Sequence, residues 1–302
     1  MAEKIKITFL GTSSSVPTAR RNHTANLLQY KDEMILFDCG EGTQRQFRKA
    51  KLNICKITKI VISHWHGDHV LGLAGLLQTM IMNGYKRNLE IYGSKGISKK
   101  IRELLDLFGI KDKELNLKVI EIEEGVFFEN SEFYLESSFM EHNILTNAYS
   151  FVIKEKRRLD KKKLEKLKIP NSPLIGDLVK GKKVKINGKE IDGKKLLYVE
   201  PQRKVTIIVD SKYCESAVKL AEDSNILICE SSFSKEEGEI AKDHGHMTSH
   251  DSATIAKKAR VGRLYLIHLS QRYDVIPKKI LEEAKEVFKE TKVAEDLDSI
   301  EV

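Results

Sequence analysis

The chain is expected to fold as an α/β protein built from two βαβ-like halves, and three observations carry that expectation. Apolar runs of strand length alternate with longer segments whose apolar residues recur at helical spacing. Histidines and aspartates stand just after several of those runs, where α/β sheets open a crevice at the carboxyl ends of their strands. The alternation is interrupted once, between residues 154 and 204, by a lysine-rich stretch. At 302 residues with 41% hydrophobic content, the chain can bury a large core.

Taken in order, residues 5–10 form the first expected strand. Gly11-Thr12-Ser13 and a loop from Pro17 to Arg21-Asn22 lead to strands at 25–30 and 34–37. The third strand runs into Phe37-Asp38-Cys39-Gly40-Glu41-Gly42-Thr43-Gln44-Arg45-Gln46, with a helix after Gly42. A strand at 59–63, built on Ile60-Val61-Ile62, precedes a helix at 73–82, a strand at 89–92 and a helix at 95–108. Strands follow at 117–121, 132–139 and 148–154. Beyond the lysine-rich stretch come strands at 205–209, 226–229 and 263–267, with helices at 214–222, 249–259 and 277–290. No apolar run approaches the ~18 residues of a membrane span, and Met1-Ala2-Glu3-Lys4 leads straight into a strand, so a cytoplasmic protein with no membrane partner is expected.

The chemistry concentrates in Ser63-His64-Trp65-His66-Gly67-Asp68-His69, at the end of an apolar run. In extended backbone His64 and His66 point the same way, while Asp68 and His69 lie past a Gly67 turn and face a second position. One metal would use all four poorly; two could use them well. A surface histidine cluster or a single structural zinc is the plainer reading, but structural zinc sites usually close with cysteine. His142, Asp210 and His268 follow three other strands. Each alone reads as a satisfied polar residue or a helix cap. Together they complete a set.

The set His64, His66, Asp68, His69, His142, Asp210 and His268 resembles the metallo-β-lactamase superfamily. The resemblance implies a four-layer αβ/βα metallo-β-lactamase sandwich spanning 1–302 as one catalytic domain. It also implies two Zn2+ per subunit: His64, His66 and His142 on one, Asp68, His69 and His268 on the other, Asp210 between them. The Asp38 to Gln44 element is similar to the Asp-x-Gly-Glu-Gly-Thr-Gln motif of ribonuclease Z, the endonuclease that trims the 3′ trailer of precursor transfer RNA. Gly11-Thr12-Ser13, the Pro17 to Asn22 loop and His268-Leu269-Ser270-Gln271-Arg272-Tyr273 extend the likeness nearly end to end.

Two further elements resemble that family. Cys229-Glu230-Ser231-Ser232-Phe233 stands at its His-Glu-Ala-Thr loop, and Gly245-His246-Met247-Thr248 at its His-Ser-Thr loop. The likeness pairs Glu230 with His246 as a donor of the proton that the departing ribose 3′ oxygen needs, with Asp68 acting on the attacking water. The plain reading of His246 is a loop residue before a helix capped by Thr248 or Ser249. Cys229, Met247, Ser232 and the run Val209-Asp210-Ser211 depart from the family pattern without removing a donor. His23, His244 and His250 are left as solvated loop residues.

Between Lys154 and Lys204 stand 18 Lys or Arg and 7 Asp or Glu, a net charge of +11 in a chain of +8, so the remainder carries −3. Such a run is usually a solvated face, but Pro170, Pro173, Gly176, Gly181, Gly188 and Gly193 suit a protruding arm. Basic arms bind phosphate backbones through counterion release. The resemblance implies an exosite arm at about 154–200 that grips transfer RNA, with Ile169-Pro170 through Gly176 to Lys180-Gly181 similar to the family's Gly-Pro motif, and a homodimer joined near the helices after Gly42 and from Leu73. Cys39, Cys55, Cys214 and Cys229 show no zinc-ligand spacing and are expected as thiols. The rival classes are a small-molecule phosphodiesterase or other hydrolase on the same fold, and an RNA-binding member without catalysis.

Overall fold

In the first half of the computed structural model, strands run β1 (Lys6–Gly11), β2 (Ala25–Tyr30), β3 (Glu33–Phe37), β4 (Lys59–Val61), β5 (Leu89–Gly93) and β6 (Leu117–Glu121). Helices α1 (Thr43–Lys49), the one-turn α2 (Gly67–Val70), α3 (Leu73–Met82) and α4 (Ile97–Phe108) are threaded between them. The structure describes residues 3–167, 169, 174–186 and 188–302. Strands β3 to β6 pair in parallel, so the segment after each returns as a crossover and the strand ends line one edge.

The chain then builds β7 (Gly125–Glu129), β8 (Phe133–Met140) and β9 (Thr146–Ile153) as an antiparallel meander. The basic stretch follows as β10 (Lys156–Leu159), α5 (Lys161–Lys166), α6 (Leu174–Val179), β11 (Lys183–Ile186), β12 (Lys189–Asp192), α7 (Gly193–Leu196) and β13 (Leu197–Glu200). The remainder is β14 (Arg203–Ile208), α8 (Glu215–Ala221), β15 (Ile226–Glu230), α9 (Gly238–His244), α10 (Ser249–Lys258), β16 (Leu264–Ile267), α11 (Pro277–Val287), β17 (Thr291–Val293) and β18 (Ser299–Glu301).

Two seven-stranded sheets result, ordered β18-β1-β2-β3-β4-β5-β6 and β17-β16-β15-β14-β9-β8-β7. Strand alternation sorts their apolar side chains into three layers. In β3, Met34 and Leu36 pack toward α1, α3 and α4, while Ile35 and Phe37 enter the space between the sheets. In β15, Ile226 and Ile228 meet that same space, and Leu227 and Cys229 pack toward α8, α10 and α11. Helix, sheet, sheet and helix therefore stack as four layers. Among the described residues, no helix is long and apolar enough to cross a membrane.

The basic stretch enters and leaves through the antiparallel pair β10 and β13, and its Leu178, Ile186 and Leu196 form a small apolar cluster of their own. Asp160 and Asp192 cap α5 and α7 by accepting backbone N–H bonds, which explains two acidic residues in so basic a segment. Of the motif read there, Pro170 and Asn171-Ser172-Pro173 lie outside the described residues.

Candidate metal centre

Six strand ends deliver the site. Asp38 follows β3, His64 to His69 follow β4, His142 follows β8, Asp210 follows β14, Glu230 ends β15 and His268 follows β16. Asp38 and His268 hold left-handed backbone, φ 59° and 56°, a conformation other residues rarely adopt and one that clusters at functional positions.

All seven expected donors meet there, in two groups. His64 Nε2 lies 3.0 Å from His66 Nδ1, and His142 Nε2 lies 3.3 Å from that same atom. Asp210 Oδ2 faces them, 3.5 Å from His64 Nε2 and 3.8 Å from His142 Nε2. Its Oδ1 faces the second group, 3.3 Å from His69 Nε2 and 3.0 Å from His268 Nε2. Asp68 Oδ2 stands 3.3 Å from each of those two nitrogens. Asp210 thus belongs to both groups.

The far side of four of the five rings is held by protein, which fixes the nitrogen turned inward. His69 Nδ1 donates to Asp38 Oδ2 at 2.7 Å, and His142 Nδ1 to the Gly245 carbonyl at 2.8 Å. Ser63 Oγ gives its proton to Asp38 at 2.8 Å and accepts from His64 Nδ1 at 2.9 Å. Ser232 Oγ gives its proton to Glu230 at 2.8 Å and accepts from His268 Nδ1 at 2.9 Å. Gly245 needs both its φ of 79° and its bare Cα, because a Cβ there would lie 2.8 Å from His142 Nδ1.

This donor set fits divalent cations. His69 Nε2 and Asp210 Oδ1 are buried and have no hydrogen-bond partner in the protein. His64 and His142 turn bare lone pairs toward one His66 nitrogen, whose single proton could relieve only one of them. Burial drives the His64, His66 and His142 rings toward their neutral, metal-binding form. Burial also opposes charge on His69, but Asp210 and Asp38 outweigh it and push that ring well up, so the carboxylates draw positive charge to this point. Asp68 is buried too, yet His268 and His69 hold its carboxyl well below the usual range.

Beside the second group, His246 Nδ1 lies 3.1 Å from Glu230 Oε1. Glu230 is fully buried and also accepts from the Ser211 N–H at 2.7 Å. Burial disfavours charge on His246, but Glu230 outweighs it and raises the ring to about 9, with Nε2 as the nitrogen left for a substrate. Thr248 closes this loop by capping α10 in a reciprocal bond with Asp251.

The sequence alone assigns no role to Asp38, Ser63, Ser232 or Gly245, although each stands inside or beside one of its motifs. Of the unassigned histidines, His23 is not a solvated loop residue: it is buried against Gly40, with Nε2 3.2 Å from the Ser15 carbonyl. His244 ends α9 in solvent, and His250 is half-buried in α10. The four cysteines are free thiols, and burial pushes Cys39 and Cys229 far from reactivity. Asp38→Asn keeps a residue that accepts left-handed backbone but replaces a carboxylate oxygen with an amide donor. It should weaken metal binding roughly 10- to 100-fold in a competition titration with a chromogenic chelator. Unchanged affinity would deny Asp38 its ligand-orienting role.

Fold and site together define a hydrolase of the metallo-β-lactamase fold. Residues 5–161 match the family model described as Anti-Pycsar protein Apyc1. The chain is 38% identical over 300 residues to the ribonuclease Z of Methanothermobacter thermautotrophicus, covering 99% of this chain and 97% of that one. To the ribonuclease Z of Enterococcus faecalis it is 38% identical over 312 residues, with the same two coverages, 99% and 97%. The solved short form of human tRNase Z matches with a TM-score of 0.69 and 28% identity over 98% of both chains. The metallo-β-lactamase fold protein YhfI of Bacillus subtilis matches in fold, with a TM-score of 0.73 at 20% identity over 99% of this chain and 100% of its own. The chain belongs to the ribonuclease Z family, and through residues 5–161 to the family of the Apyc1 model as well.

Proposed function

We propose that this protein is the endoribonuclease that removes the 3′ trailer from precursor transfer RNA, leaving a 3′-hydroxyl on the transfer RNA and a 5′-phosphate on the trailer. The observation that carries the reading is a buried Glu230 holding His246 beside two donor groups that share Asp210, in a chain similar end to end to ribonucleases Z. Two Zn2+ per subunit suit the two groups of nitrogen and carboxylate donors. Divalent cations bound there supply Lewis-acid polarisation of the phosphodiester and a nucleophilic water at neutral pH. Asp68, kept ionised by His268 and His69, would orient the attacking water or take its proton. His246 Nε2 delivers a proton to the leaving 3′ oxygen, and Glu230 stabilises the imidazolium before transfer.

The same reading assigns the basic arm to the body of the precursor, and favours a homodimer. Met82, Leu107 and Phe108 are exposed at the ends of α3 and α4, beside a cavity of about 270 Å³ lined in part by Ile81 and Ile110. A cytoplasmic site of action suits four free thiols. Purified protein incubated with a 3′-extended precursor, with and without chelator, should release a trailer only in the metal-loaded state. End mapping should find the stated termini, elemental analysis two zinc per chain, and light scattering twice the chain mass. A protein that hydrolyses bis(p-nitrophenyl) phosphate but leaves the precursor intact is instead a small-molecule phosphodiesterase.

A further inference from the structure

A cavity of about 260 Å³ opens beside His246, where Val16 of the first-half loop meets Phe233, His244 and Arg272 of the second half. Its chemistry is that of a nucleobase pocket. The Phe233 and His244 rings are nearly parallel, 13° apart with centroids at 6.2 Å, and the Arg272 guanidinium lies 5.9 Å from the Phe233 centroid while pairing with Glu237. Phe233 is also tied to the proton donor. Its N–H donates to the Met247 carbonyl at 3.3 Å and its carbonyl accepts from Ser249 N–H at 3.0 Å, so the loop bearing Phe233 and the loop bearing His246 hold one register. The two rings stand 6.2 Å apart.

The direction of the substrate strand follows from where the proton goes. In the reading above, on which this inference rests, the oxygen protonated by His246 Nε2 is the 3′ oxygen of the last nucleotide of the transfer RNA body. The ribose carrying that oxygen must lie against His246, and the cavity is the void adjoining it on the Phe233 side. We propose that this cavity takes the base of that nucleotide, stacked on Phe233, and that the trailer bases lie elsewhere. Every base has a π-face, so such a pocket fixes position while accepting any sequence.

The test uses the metal-loaded enzyme and precursors carrying a single abasic ribose. An abasic ribose immediately 5′ to the cleavage point should lower kcat/KM roughly 10- to 100-fold, the range of one base–aromatic stack. The same lesion immediately 3′ should cost little. Phe233→Ala should lose a similar factor on the intact precursor and show no added loss with the 5′ abasic substrate, since the two changes remove one contact. His244→Ala, at an exposed position, should move the same way by less. A larger cost for the 3′ lesion, or losses that multiply in Phe233→Ala, would overturn the subsite while leaving the nuclease reading intact. No cleavage of the intact precursor would overturn both.

Discussion

His246→Ala is expected to lower turnover of a precursor transfer RNA by roughly 10²- to 10⁴-fold, the usual contribution of a positioned general acid, with bound metal unchanged. The contacts of His246 decide this outcome. Its Nδ1 is held by Glu230 at 3.1 Å, and it belongs to neither donor group that contains Asp210. On the proposed reading, removing the ring deletes the proton source and leaves both donor groups that share Asp210 intact. Glu230→Gln should behave differently. Glu230 orients His246 through one oxygen and, through Ser232, the His268 ring through the other, so its loss should reduce turnover and metal affinity together. The measurement is single-turnover cleavage beside elemental analysis of each variant. Loss of metal from His246→Ala would make His246 a ligand and move the general acid elsewhere.

The two variants also separate what was legible in the sequence from what was not. The His64 to His69 run could be read because four donors sit within six residues after an apolar run, and Asp210 and His268 because each directly follows a strand. Glu230 and His246 showed only through resemblance, since their 3.1 Å contact joins loops 16 residues apart across a helix. The supports of the rings had no local signal at all: His142 meets Gly245 over 103 residues of chain, and His69 meets Asp38 over 31. Hydrogen bonds of that range leave no periodicity in a sequence. The fold shows the same division. Parallel strands buried on both faces read as continuous apolar runs, whereas β17, β18 and β7 are short edge segments fixed by partners such as Lys6 opposite Glu301. The polarity of its loop suggests solvent for His23, but the bare Cα of Gly40 admits the ring to the interior.

Excising residues 157–199 is expected to raise KM for precursor transfer RNA at least about tenfold near physiological salt, while hydrolysis of bis(p-nitrophenyl) phosphate stays within about twofold. The fold permits the excision. Lys156 and Glu200 are opposite one another in the β10/β13 pair, so a two-residue Asn-Gly turn can join them without straining β9 or β14. The apolar residues removed form their own cluster with Leu178, Ile186 and Leu196, so the layers around the two sheets keep their packing. What is lost is charge, since residues 157–199 hold 14 Lys or Arg and 5 Asp or Glu, a net +9 in a chain of +8, so the remainder carries −1. A body left without net positive charge has little long-range attraction for a polyanion, whereas a small phosphodiester has no extended backbone for the arm to hold. Because each lost phosphate contact flattens the dependence of log affinity on log salt by about 0.7–0.9, three lost contacts should reduce that slope by roughly two to three. Equal losses on both substrates would mean that the deletion had damaged the centre itself, and an unchanged salt slope would mean that the arm does not touch the RNA backbone.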